Sequence, residues 1–342
     1  MTTTPTTNKV GFTRKDYIGG KSTLCTGCGH DSITNHIISA YYQSSVSPYE
    51  VAKLSGIGCS SKTPTYFMGL SHGFNSLHGR MAPMSIGARL AHRKLNLIGV
   101  SGDGDTASIG LGGFIHLIRR NPPVVYIVEN NGVYGLTKGQ FSATADHGSV
   151  AKSGEKNPFS NIDLCSLAME MGCGFVARSF SGDARQMVPL LDAAIRYPGT
   201  AFIDVISPCV TFANNEGSTK SYAYVKEHKV DLQELGFIQP QQEISVDYAE
   251  GEVIKVKMHD DSILTLRKID AHFDHTNANT GLATLRAARE KGEILTGLLH
   301  LNESKENLVD SLNITNVPLR DLKESDLRPT ENELKKMMQE FV

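Results

Sequence analysis

Two sets of residues in this 342-residue chain have the types and spacing to do chemistry. The first is Gly102-Asp103-Gly104-Asp105, followed a little under thirty residues on by Asn130-Asn131. Glycines let backbone N–H groups approach phosphate oxygens closely, and a helix opening near Ile109 would aim its positive end at the same anion. A diphosphate calls for a divalent cation, and Mg²⁺ takes oxygen ligands in octahedral array. Asp103 and Asn131 can each supply a side-chain oxygen, and a carbonyl just after Asn131 a third. An Asp between glycines also makes an ordinary turn; the Asn pair at the end of the next apolar run is what favours a cation site. The second set is Cys25-Thr26-Gly27-Cys28, with Cys59 and Cys209 far along the chain. Thiolates of this kind hold tetrahedral zinc or an iron–sulfur cluster. A thioredoxin-like redox pair is the rival use, but such a pair opens a helix that follows a strand, and no strand pattern precedes Cys25. Cys165, in a helical pattern, and Cys173, just before a strand, read as small buried apolar residues.

These residues need elements to position them. Short apolar runs at 51–57, 95–100, 123–128, 174–177 and 201–206 alternate with helical periodicity at 32–43, 85–94, 109–120, 164–171 and 184–196. This alternation predicts a doubly wound α/β domain with a mainly parallel sheet, apolar on both faces because helices cover both. In such a sheet all parallel strands end along one edge, where ligands bind. Gly58-Cys59-Ser60-Ser61, the glycine–aspartate segment, Asn130-Asn131 and Ser207-Pro208-Cys209 each follow an apolar run directly. Four chemically unusual segments are therefore expected on one rim. Three divisions are expected: a flexible polar arm over 1–16, the α/β domain over 17–225, and a C-terminal extension over 226–342. In the last, 244–258 and 262–269 flank a hairpin-like turn at His259-Asp260-Asp261, 282–291 reads as a helix, and the charged remainder reads as a lid or tail.

Composition bounds the function. Lys plus Arg number 34 against 36 Asp plus Glu, a net charge of −2, which argues against a nucleic-acid binder held by a broad basic face. Apolar residues at 40% indicate a folded, well-cored chain. No apolar run approaches the ~18 residues of a membrane helix. The start, MTTTPTTNKV, lacks the layout of a secretory signal, so a cytoplasmic protein is expected. In that compartment clustered cysteines point to metal or redox chemistry rather than disulfides.

The glycine–aspartate segment and the Asn pair resemble the signature of thiamine-diphosphate enzymes. The resemblance implies Mg²⁺ held by Asp103, Asn131 and the carbonyl of Val133, with diphosphate contacts from Gly104, Asp105, Gly135, Leu136 and Thr137. Taken in order, Cys25-Thr26-Gly27-Cys28-Gly29-His30, Gly58-Cys59-Ser60, Leu77-His78-Gly79-Arg80, 102–105, 130–140 and Ser207-Pro208-Cys209 resemble the β subunit of the 2-oxoacid:ferredoxin oxidoreductases over residues 17–300. The resemblance implies one [4Fe–4S] cluster on Cys25, Cys28, Cys59 and Cys209, close to the thiamine. It also brings Ile57, Gly58, Ser60, His78, Gly79, Arg80 and Gly102 to the cofactor. The stretch from Ser207 to Phe212, with the long C-terminal region, looks most like the branch that converts 2-oxoglutarate and CoA to succinyl-CoA and CO₂; pyruvate or broader 2-oxoacid use is the alternative. Lys62 is a candidate for gripping a substrate carboxylate, against the ordinary reading of a solvated lysine. His30 and His78 could touch the cofactor or move protons near neutral pH, or serve structure alone. The Glu that activates thiamine comes, in that family, from a partner α subunit carrying the pyrimidine-binding domain. A shared site, an (αβ)₂ assembly and ferredoxin as electron acceptor follow from the same resemblance. Two departures stand out: Ala143 follows Ser142 where family members often carry Pro, and no second cysteine run such as C-x₂-C-x₂-C exists for further clusters.

Overall fold

The computed structural model describes residues 6–151, 154–211, 243–258 and 263–341. Eleven strands are β1 Val51–Ser55, β2 His72–Asn75, β3 Asn96–Gly102, β4 Val124–Asn130, β5 Val133–Tyr134, β6 Gln140–Phe141, β7 Phe175–Phe180, β8 Thr200–Ile206, β9 Val253–Lys257, β10 Ile263–Lys268 and β11 Ile294–Leu301 among the described residues. The α-helices are α1 Gly29–Ser44, α2 Thr63–Tyr66, α3 Met81–Ala91, α4 Leu111–Arg120, α5 Leu164–Glu170, α6 Ala184–Arg196, α7 Ala278–Glu290, α8 Leu308–Ser311, α9 Glu324–Leu327 and α10 Glu331–Gln339. Nine strands form one sheet in the order β2-β1-β3-β4-β8-β7-β11-β10-β9, while β5 and β6 pair separately.

From β2 to β7 every pairing is parallel, as the strand–helix alternation requires. The central strand β4 is buried at every position, because its two faces enter different cores. Val124, Tyr126 and Val128 join Phe114, Leu117 and Leu164 under α3, α4, α5 and α7. Val125 and Ile127 join Ile33, Ile37, Met187 and Leu191 under α1 and α6. Phe114 seats between Tyr126 and Phe202 with ring centroids 5.3 and 5.0 Å away, aromatic packing of the kind that holds a helix to a sheet. Cys165 and Cys173 are fully buried in the first of these cores, as expected.

Three features depart from the sequence reading. The polar start does not stand free from residue 6 onward: Asn8 Nδ2 donates to Tyr17 Oη at 2.8 Å and to the Tyr42 carbonyl at 3.1 Å, and Phe12 packs edge-on against Tyr17. The C-terminal strands extend the main sheet, β11 running antiparallel to β7 and β9 antiparallel to β10. The expected division near residue 225 falls outside the described residues, as does the turn expected at 259–261. A π-helical stretch, Gly104–Ile109, separates β3 from α4. Its bond from Gly110 N to the Asp105 carbonyl, 2.8 Å, is one residue longer than an α-helical bond, an irregularity often found beside functional sites. Among the described residues no helix is long and apolar enough to cross a membrane.

Candidate functional site

The parallel strands β1, β3, β4 and β8 lie side by side, so the segments that follow them share one rim. Ladder bonds continue past the strand ends: Gly56 N donates to the Val100 carbonyl and Ser207 N to the Asn130 carbonyl, both at 2.8 Å. All four segments singled out in the sequence meet there.

Asp103 stands at the centre. It is buried, and its Oδ2 accepts from Gly132 N at 3.0 Å, from Thr144 Oγ1 at 2.5 Å and from Ser142 Oγ. Its Oδ1 has only a long contact, 3.4 Å, from Asn131 N. Asn131 turns its own Oδ1 back to Val133 N at 3.1 Å, the side-chain-to-backbone turn typical of Asn. The loop after β4 is thus laid across the end of β3. Gly104 sits under the Tyr134 ring, and Tyr134 Oη donates to the Gly104 carbonyl at 2.9 Å.

Asp105, expected on a diphosphate, has both carboxylate oxygens engaged within the chain: Oδ1 accepts from Gly79 N at 2.6 Å and Oδ2 from Ser101 Oγ at 2.8 Å. Burial pushes its carboxyl up, against hydrogen bonds from Gly79 and Ser101 and the nearby His78 that pull it down. Asp105 therefore fixes the turn carrying His78 and Arg80. That turn needs Gly79, whose φ is +65° and where a Cβ would fall 2.8 Å from Gly110 N. His78 and Arg80 are exposed, as are Leu136 and Thr137; Lys62 is half-buried in the short 3-10 turn Ser60–Lys62.

The cysteines come to the same rim. Cys28 precedes α1 and is buried; Cys25, Cys59 and Cys209 are half-buried. Burial raises the Cys28 thiol well above its ordinary value, and Cys209, Glu129 and Cys25 add to the rise. Cys59 is raised by burial, lowered by Lys62, and raised again by Cys25 and Glu129. Cys28 thus has Cys25 and Cys209 as electrostatic neighbours, and Cys59 has Cys25. A Cβ at Gly135, in the loop after Asn131, would lie 3.4 Å from Cys59 Sγ, so the thiol group and the Asp103 loop touch. No disulfide joins any of the six cysteines. Among the described residues no three His, Cys, Asp or Glu side chains stand close enough together to hold a single metal ion, as a tetrahedral zinc site would require.

Behind this rim lies a buried polar group that the sequence reading missed. Glu129, fully buried in β4, accepts from Thr63 Oγ1 at 3.0 Å on each oxygen. His30 Nδ1 is 2.6 Å from Ser207 Oγ and 3.6 Å from Glu129 Oε2. Burial holds Glu129 well above the usual carboxylate range and takes His30 down to about 4. Both are driven towards their neutral forms, so their approach is a polar contact rather than an ion pair. The signal for Glu129 was present, an ionisable residue directly before Asn-Asn, but in an apolar run it reads as a strand terminus. Thr144 gave no signal, and Tyr134 and Ser142, though inside or beside motif stretches, carried none for these contacts, since hydroxyls in a loop are commonplace.

Comparison with known proteins agrees with this geometry. Residues 56–205 match the thiamine pyrophosphate enzyme C-terminal TPP-binding domain. The chain is 40% identical over 208 residues to the 2-oxoacid:ferredoxin oxidoreductase subunit beta of Saccharolobus solfataricus, a match covering 60% of this chain and 68% of that one. It is 33% identical over 214 residues to the 2-oxoglutarate synthase subunit KorB of Methanocaldococcus jannaschii, covering 61% and 78%. Among solved structures, the 2-oxoglutarate:ferredoxin oxidoreductase from Magnetococcus marinus, with 2-oxoglutarate, coenzyme A and succinyl-CoA bound, superposes with a TM-score of 0.73 at 26% identity over 95% of this chain and 96% of that one. A parallel sheet whose rim gathers an Asp–Asn loop and four thiols, in a chain with these relatives, belongs to the β subunits of the 2-oxoacid:ferredoxin oxidoreductases.

Proposed function

We propose that this β subunit oxidises 2-oxoglutarate with CoA to succinyl-CoA and CO₂, electrons leaving through one [4Fe–4S] cluster to ferredoxin. The observation that carries the reading is the contact between the Asp103 loop and the Cys59 thiol at Gly135, which makes a cofactor site and a thiol site neighbours. The residues suit the groups. Asp103 Oδ1, Asn131 Oδ1 and the Val133 carbonyl are hard oxygen donors of the kind Mg²⁺ prefers. Cys25, Cys28, Cys59 and Cys209 are soft donors of the kind iron takes, and burial disfavours Cys28 and Cys59 as lone thiolates. When bound, thiamine diphosphate and the cluster supply the decarboxylation and one-electron transfer that side chains cannot.

This chain's residues bind and orient. Gly102, Gly104, Gly135, Leu136 and Thr137 border the diphosphate, Asp105 braces the His78–Arg80 turn against it, and Ile57, Gly58, Ser60 and Gly79 form the adjoining wall. Lys62, held half-buried next to Cys59, receives the substrate carboxylate. His30, neutral and donating or accepting at Ser207, orders the floor beneath the thiols; His78, exposed on the rim, faces whatever covers the site. The cover is an α subunit, completing an (αβ)₂ enzyme of the cytoplasm. Exposed Leu77, Ile109, Leu136 and Phe159 are apolar side chains of the kind a partner surface buries. Broad 2-oxoacid use is the second reading, favoured by the name of the Saccharolobus relative.

The test is anaerobic co-purification with the α subunit and a panel of 2-oxoacids. Brown absorbance that bleaches with dithionite and a preference for 2-oxoglutarate are expected. A colourless complex would refute the cluster, and a preference for pyruvate would refute the substrate.

A further inference from the structure

A buried charge network lies one layer behind Asp103. Arg178 in β7 is registered directly against Asp204 in β8. Its Nε donates to Asp204 Oδ2 at 2.8 Å and its second terminal nitrogen to Asp163 Oδ2 at 2.9 Å. Asp163 uses Oδ1 to cap α5 at Ser166 N. Asp204 and Arg178 are buried, and nothing in the site described above calls for them. On the far side, Asp204 Oδ1 accepts from Asn130 Nδ2 at 3.0 Å. This fixes the Asn130 amide, because a carboxylate can only accept, and turns Asn130 Oδ1 towards Thr144 Oγ1 at 3.0 Å. The same Thr144 hydroxyl stands 2.5 Å from Asp103 Oδ2.

A hydroxyl carries one proton, and Asp103 Oδ2 and Asn130 Oδ1 compete for it; Ser142 Oγ, 3.0 Å from Thr144 Oγ1, spends its own proton on Asp103 Oδ2. We propose that Asp204, clamped by Arg178, is a positioning residue that holds Asn130 as the alternative acceptor, so that the Thr144 hydroxyl can turn away from Asp103 when a cation takes that carboxylate. Without a cation the proton lies on Asp103, the shorter contact. With one on Oδ1, charge is drawn off Oδ2, which becomes the weaker acceptor, and Asn130 Oδ1 receives the proton instead. The inference rests on the assignment of Asp103 to Mg²⁺.

The direction of each bond gives a sharp test. In Asp204→Asn, the new amide must present its oxygen to Arg178, which only donates, so its nitrogen faces Asn130 Nδ2. Asn130 is forced to flip, its nitrogen then faces Thr144, and the hydroxyl proton is locked on Asp103. In the exchange Asn130→Asp with Asp204→Asn, the amide at 204 donates to the carboxylate at 130, whose other oxygen again accepts from Thr144. The net charge and the acceptor offered to Thr144 return, while the bond between 130 and 204 runs the other way.

The full chain, produced with its α subunit and stripped with chelator, is titrated calorimetrically with Mg²⁺ at fixed thiamine diphosphate, and its metal-free melting is recorded in parallel. Asp204→Asn should weaken the Mg²⁺ Kd by roughly tenfold, about the worth of one hydrogen bond, and the exchange should restore it to within about threefold. Asn130→Leu, which leaves the Arg178 pair intact, should lose about as much as Asp204→Asn and keeps the test open if the latter does not fold. A purely structural role predicts loss of melting temperature without a change in Kd, and no rescue by the exchange; either result overturns the proposal while the Mg²⁺ assignment stands. Absence of Mg²⁺-dependent thiamine diphosphate binding in the unmodified protein overturns both.

Discussion

Replacing Gly104 with Ala separates two reasons for a glycine. The Gly104 backbone is not left-handed, so Ala is acceptable to the chain; the obstacle is the Tyr134 ring, whose Cε1, Cζ and Cδ1 would lie 2.5, 2.7 and 2.8 Å from the new Cβ. Carbon atoms settle about 3.5–4 Å apart, so the ring must retreat by roughly 1 Å. Tyr134 is half-buried and has room to move outward, but its 2.9 Å bond to the Gly104 carbonyl breaks. Losing that bond costs about 1 kcal/mol and the strain of the added methyl about 1–3, together about 2–4 kcal/mol. Tyr134 follows Asn131 by three residues, so part of this strain moves the cofactor loop. Thiamine diphosphate binding in the presence of Mg²⁺, measured by calorimetry, should weaken by about 10- to 100-fold. Adding Tyr134→Ala removes the obstacle, and the pair should show a favourable coupling above about 1 kcal/mol in a double-mutant cycle. Unchanged affinity in Gly104→Ala, or no coupling, would refute the close-approach argument.

Further outcomes can be checked directly. Asp103→Ala, which strips Gly132 N, Ser142 and Thr144 of their common acceptor, should abolish Mg²⁺ and thiamine diphosphate retention while far-UV dichroism stays unchanged; full cofactor content after desalting would contradict it. Cys209→Ala should cost the protein most of its iron, whereas Cys165→Ala, buried in the core, should keep it; equal iron in the two variants would reject the ligand set. The β chain alone should show no 2-oxoacid oxidation until the α subunit is added, and full activity by itself would disprove a shared site. Unfolded chains take up a proton on His30 near pH 6.5, the folded chain only near about 4. The folded state therefore loses stability as pH falls through that window, by about 3 kcal/mol in all. His30→Gln should flatten the acid limb of the urea midpoint between those pH values, and an unaltered limb would argue against a buried neutral imidazole.

The main architecture was legible because buried parallel strands and the helices over them have strong patterns. The runs at 95–100 and 201–206 became β3 and β8 within two residues at each end, and 184–196 became α6 without change. β2 was not legible: His72–Asn75 is exposed at every position and lies at the sheet edge, so no apolar run marks it. The π-helical stretch was equally hidden, since it depends on one shifted carbonyl partner rather than on residue type. The Asp103–Asn131 pairing was readable from the order of strands, yet what surrounds Asp103 was not. Ser142 and Thr144 reach it from a loop whose path is set by tertiary contacts. The resemblance brings Asp105 to a diphosphate, but that its carboxylate braces Gly79 depends on a tertiary contact the sequence does not reveal.

Cys25 and Cys28 lie just before the first long helix, and Cys209 lies just after the last parallel strand of the α/β unit. The thiols at the two extremes of that unit become neighbours only after nearly all of it has been threaded and closed. A group held jointly by them would have to be delivered to a finished fold, not to a nascent chain, and would then act as a clasp between its beginning and its end. Oxidative removal of that clasp would be felt as fraying at both termini of the unit rather than as damage confined to one loop.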